Sequence, residues 1–226
     1  MSSCLSQIKW RLKPNSKRRL EIDVLALCTG MRPVVMIDYG GKLPELQDRL
    51  LSLLELIQEF CLLKMVEQSK ESNLGMQLRS IQKLFSSTFP LDGSNNDAKS
   101  SLLIDLSCCL QDTKVTIPTL NGWLLDYPVV YLFATDHIEE AIYNLSTKSL
   151  RIFKVLVQRK GTTEKDSLLE ELTSFSVPCE LSMGGSKEVW AEAFMERMSS
   201  RWEECKHIWR SLDLQVSECY PQAIVL

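Results

Sequence analysis

Residues 122–133, Gly-Trp-Leu-Leu-Asp-Tyr-Pro-Val-Val-Tyr-Leu-Phe, constrain the fold more than any other stretch. Val129, Val130, Tyr131, Leu132 and Phe133 are apolar without alternation, the pattern of a strand covered on both faces, and Pro128 is tolerated only at the first position of such a strand. Two shorter runs have the same character. Residues 33–37, Pro-Val-Val-Met-Ile, precede Asp38, and residues 102–104, Leu-Leu-Ile, precede Asp105. Three central strands in one layer, with helices packed on both sides, are therefore expected.

The rest of the chain supplies the helices. Over 18–29, Leu20, Val24, Leu25 and Cys28 lie along one face and Gly30 is placed to stop the helix. Leu46, Leu50, Leu53, Leu54 and Ile57 recur at three and four, predicting an amphipathic helix from about residue 43, and Leu74, Leu78, Ile81, Leu84 and Phe85 predict another that ends before Pro90. Residues 61–66 read as a strand or as the end of the preceding helix. Residues 89–101 form a turn-rich loop, the best place for a flexible insertion near 90–100. Val115, Thr116 and Ile117 lead to the 122–133 segment, and 136–145 predicts a short helix. Residues 150–158 alternate in part, as a strand near a sheet edge would.

Thr163 with Asp166 resembles a capping box, opening a helix through Leu168, Leu169 and Leu172. Residues 179–183 alternate like a short strand. Gly184-Gly185-Ser186 then introduces a long helix with Ser186 as its cap. Along it Trp190, Phe194, Met198 and Trp202 fall at intervals of four, with Val189 and Ala193 beside them, a stripe that reads as core packing rather than a cofactor box. Residues 214–219 and 223–226 add closing strands. The expected class is α/β: a mixed, mainly buried sheet with helices on both faces, in a single domain over 18–226.

Composition narrows the class of function. A chain of 226 residues with 45% hydrophobic and 24% charged residues buries a sizeable core, and a net charge of −3 argues against general nucleic-acid binding. Residues 1–17 form a basic lead-in; with Arg18 and Arg19 the first twenty residues carry six cations and no acid. That pattern fits a solvated lead-in, a nuclear signal at Lys17-Arg18-Arg19 or a weak transit peptide. No stretch approaches the ~20 apolar residues of a membrane span, so a cytoplasmic protein is expected, with nucleus or organelle as the alternatives. Eight cysteines lack any Cys-x-x-Cys pair and most read as reduced thiols in the core; the adjacent Cys108 and Cys109 would make a redox or soft-metal site, but neighbours in a strand point to opposite faces.

Few residues here have the makings of a reactive site. Asp38, Gly40, Gly41 and Lys42 follow the 33–37 run, where glycines would let a backbone approach phosphate; with Asp105 at the same sheet edge, two carboxylates would share a magnesium ion. A turn with Pro44 opening a helix accounts for the same residues. Gly184-Gly185-Ser186-Lys187 would hold an anion at a helix start, or simply make a tight turn. His137 and His207 are isolated, and no nucleophile has an evident base. No metal site and no cofactor are assigned.

Residues 32–40, Arg-Pro-Val-Val-Met-Ile-Asp-Tyr-Gly, and 122–131, with 150–157 as a following hydrophobic block, resemble an uncharacterised eukaryotic family of the chromosome-1 open-reading-frame-74 type, a domain of unknown function. The resemblance covers most of the chain and implies no activity, cofactor or catalytic residue. Two functions follow from the residues: a non-catalytic protein that binds a protein partner, or a small metal-assisted phosphohydrolase or nucleotide-binding protein using Asp38 and Asp105. The first is the expectation.

Overall fold

The computed structural model describes residues 10, 12–37, 41, 45–57, 73–88, 113–161 and 168–224. The chain divides into two compact units, Met1–Leu120 and Asn121–Leu226. The class is mixed α/β, as expected, and strands stand at 150–159 and 209–219, over the expected 150–158 and 214–219, but the runs at 33–37 and 129–133 supply none.

In the first unit, α1 (Pro14–Cys28) starts with proline at its first turn, where the missing N–H costs nothing, after an extended Lys13. It ends as the spacing predicts. The Thr29 N–H donates to the Leu25 carbonyl and the Gly30 N–H to that of Leu27, with Gly30 at φ 69°, a conformation in which a Cβ is strained. Leu20 and Val24 pack with Leu53 of α2 (Glu45–Ile57), and Trp10, Leu12, Cys28 and Ile37 close around them. Asp23, on the same helix, is buried between the guanidinium groups of Arg19 and Arg32, at 3.1 and 3.3 Å. Next comes α3 (Asn73–Thr88). Its Ile81 is buried while Leu84, expected on the same stripe, is exposed. The Gln77 side-chain oxygen accepts from Thr113 Oγ1 and the Lys114 N–H.

The 33–37 run is not a strand: it is irregular, half-buried at Val34 and Val35 and exposed at Met36. It is fastened at its start, where the Arg32 N–H donates to the Ala26 carbonyl, and by Ile37 against the core cluster. The 129–133 run is irregular too, with Leu132 exposed. Single side chains hold it in place of a ladder. Val130 lies so close to α4 (Ile117–Leu124) that a Cβ on Gly122 would come 3.1 Å from it, and the Tyr131 hydroxyl donates to the Ser176 carbonyl at 2.8 Å. Burial pushes that hydroxyl above its ordinary pKa. An apolar run without alternation is compatible with any buried path, and Pro33 and Pro128 each remove a donor that a ladder would use. The 102–104 run lies outside the described residues.

The sheet lies in the second unit. After a short 3₁₀ turn (Thr135–His137) and α5 (Ile138–Thr147), the expected helix, come β1 (Leu150–Arg159), β2 (Leu169–Pro178), α6 (Val189–Cys205) and β3 (Trp209–Cys219). The strand order is β2-β1-β3 and both pairings are antiparallel. Hence β1 is central, not near an edge. Phe153, Val155 and Val157 are fully buried on one face, and Lys154 on the other reaches Glu171 at 3.5 Å. Its edge-like polarity marks the outward face of the strand, not its place in the sheet.

β2 stands where a helix from Thr163 was expected. Between the pairs Leu156↔Glu171 and Val155↔Thr173 the register slips, leaving Leu172 as the extra residue of a bulge, with both Leu172 and Thr173 buried. That bulge imitates helical leucine spacing. α6 covers the buried face as its stripe predicts: Phe194 meets Phe175 edge-on at 5.5 Å, Trp190 meets Phe153 at 5.0 Å, and Phe153 stacks on Phe175 at 5.2 Å. Val189 does not join the stripe and is exposed.

A rigid connector presents three apolar side chains

Of the residues expected to form a pocket, Asp38, Gly40, Lys42 and Asp105 lie outside the described residues. Gly41 is described, at φ 154°, where a Cβ would come 3.2 Å from the Arg49 guanidinium. Among the described residues no three of His, Cys, Asp or Glu are grouped to hold a metal ion, and Cys28, Cys179, Cys205 and Cys219 are in no disulfide. His137 is exposed beside Glu140, and His207 is exposed after the end of α6. The structure draws attention instead to the connector 179–188 between β2 and α6.

The connector is two 3₁₀ turns, Cys179–Leu181 and Gly185–Lys187, and not the short strand that its alternation suggests. Its burial is the inverse of its polarity. Ser182 is fully buried while Leu181 and Met183 are 69% and 81% exposed, and Val189 at the start of α6 is 81% exposed. Ser182 is the anchor: its hydroxyl donates to the Pro178 carbonyl at 3.1 Å, its N–H to that of Cys179, and its carbonyl accepts from Arg151 Nη1 and from the Gly185 N–H. Arg151 in turn pairs with Glu218 at 2.6 Å, tying the connector to the two strands β1 and β3.

The glycines have specific tasks. Gly185 takes φ 58°, and a Cβ there would come within 3.5 Å of the Arg151 guanidinium, so the turn sits over the arginine. The Gly184 N–H donates to Glu188 Oε1 at 2.8 Å. The anion that this glycine loop holds is thus a side chain of its own. Ser186 does not cap α6; Glu188 occupies that position with its carbonyl accepting from Ala191 and Glu192, and it makes no side-chain cap. Lys148 and Glu180 form an exposed pair at 2.7 Å beside the first turn.

This is a loop fixed by buried hydrogen bonds whose large apolar side chains point to water. Burying a Leu, Met or Val side chain is worth about 1.5–3 kcal/mol, so three exposed within nine residues leave a gain unrealised in this chain. Charged pairs border them, as at the rim of an interface. The sequence hides the arrangement because the apolar residues at 181 and 183 take the positions that alternation assigns to the core. The local clue is that Pro178 and Gly184-Gly185, residues that favour turns, close the segment at both ends.

A protein-family model described as a domain of unknown function, DUF4504, matches residues 2–65 and 59–226, and the chain belongs to that family. No curated protein and no solved structure matches it. No described helix is long and apolar enough to cross a membrane.

Proposed function

We propose that this protein acts without catalysis, by binding another protein through the 179–189 surface. The observation that supports this reading is the pairing of a buried Ser182 anchor with exposed Leu181, Met183 and Val189 on the same connector. Functional loops on rigid scaffolds have this form, because order in the free state reduces the entropy lost on association. Within its family we place the chain with the chromosome-1 open-reading-frame-74 type, on the residues at 32–40 and 122–131.

The test is a photo-crosslinking amino acid at position 183, compared with one at the exposed position 203, in the full chain in cells. A discrete crosslinked protein is expected at 183 only. It should be lost in Leu181→Asp/Val189→Asp, two exposed substitutions that leave the melting temperature within about 2 °C. The same pattern from both positions, or none from 183, rejects the reading. A thermal-shift series with magnesium and nucleotides is expected to show no stabilisation. A ligand at 100 times its dissociation constant would add about 2.7 kcal/mol, and such a shift, lost in Asp38→Asn, would replace this reading with the phosphohydrolase one.

A further inference from the structure

The two outer strands of the sheet are unequal. β2 has six of its ten residues buried and receives the Tyr131 hydroxyl on its Ser176 carbonyl, whereas β3 has one of eleven buried and pairs only with β1 among the described residues. A long strand with an open edge is a template for another strand. We infer that β3 pairs antiparallel with β3 of a second copy of this chain, about a two-fold axis at Leu214.

The sequence of β3 is complementary to itself in that register. The regular part of the strand runs from Ser211 to Cys219, since Arg210 is the extra residue of a bulge between the pairs Gln158↔Ser211 and Arg159↔Trp209, and within it Ser211 of each copy stands opposite Ser217 of the other. Leu212 stands opposite Val216, extending the apolar row that faces α6 in each copy, while Asp213 stands opposite Gln215 on the outer face. Neighbouring registers fail. Moving the axis to Asp213 sets two carboxylates directly against each other, and moving it to Gln215 sets Leu212 against Glu218. A one-residue slip would put the apolar row of one copy on the polar side of the other. A two-fold pairing of this kind is closed and needs no third copy.

Position 215 separates this pairing from any effect on the single chain. Within its own sheet Gln215 lies beside Lys154 of β1, whereas across the axis it would face Asp213. Gln215→Asp thus gains a favourable neighbour inside the chain and a repulsive one between copies; Gln215→Lys does the reverse. Sedimentation equilibrium of the full chain is expected to show a reversible monomer–dimer, with the dissociation constant raised about tenfold by Gln215→Asp and lowered about tenfold by Gln215→Lys, since two equivalent cross-strand pairs change at once. A chain that stays monomeric at every concentration overturns the inference. So does a dimer whose dissociation constant ignores both substitutions, which would place the contact elsewhere.

Discussion

Asp23 and Arg32 are both nearly removed from water, and their 3.3 Å contact contrasts with the pairing of Asp23 to Arg19, whose side chain is one-third exposed. Removing one member of a buried pair costs about 3–5 kcal/mol, against about 0–1 kcal/mol for an exposed pair. Asp23→Ala is therefore expected to lower the unfolding free energy of the chain by about 3–5 kcal/mol in urea titrations, and Arg19→Ala by no more than about 1 kcal/mol. Equal effects would mean that Arg32 finds water when its carboxylate is gone. Tyr131 gives a test in pH. Its folded-state pKa lies above the ordinary 10.0, so its contribution is fully present below pH 10.0 and is lost as pH rises from there through the folded value. Tyr131→Phe should cost about 1 kcal/mol near neutrality by removing the hydrogen bond to Ser176. Unfolding at about pH 8 and about pH 11 should show that deficit shrinking at the higher pH; a constant deficit would exclude the linkage.

Elements with amphipathic spacing and explicit stops were legible. Leu20 and Val24 before Gly30, the 45–57 and 73–88 helices and the Trp190–Phe194–Met198 stripe stand where periodicity puts them, because a helix must turn its apolar residues to one side whatever lies opposite. The runs at 33–37 and 129–133 misled for the converse reason. Lacking alternation, they carry no information on whether their backbone donors meet a neighbouring strand, and each contains or follows a proline that withholds one. β2 carries a helical signature because a bulged residue, Leu172, mimics the spacing of a helical turn. The connector was the least legible of all. Its polar Ser182 is buried and its apolar neighbours are exposed, an inversion held in part by a hydrogen bond from Arg151 to the Ser182 carbonyl that no local pattern announces. Four of the five residues proposed for a pocket, Asp38, Gly40, Lys42 and Asp105, lie outside the described residues, and Gly41 alone does not make a site.

At the scale of the molecule, the junction between the two compact units falls inside α4, at residues 120 and 121 of a helix that runs from Ile117 to Leu124. No linker separates them along the chain. We propose that residues 18–226 unfold in one cooperative transition; calorimetry should then give equal calorimetric and van't Hoff enthalpies, and two resolved transitions would refute it. The strand order has a consequence for synthesis of the chain. β1 and β2 follow each other closely in the chain, but β3 ends about forty residues after β2. At ~5–20 residues per second the ribosome takes about 2–8 s to supply them. Throughout that interval the nascent hairpin shows Phe153, Val155 and Phe175 without their helix, and the strand destined for the centre has a bare side, so chaperone capture during translation would find its target there.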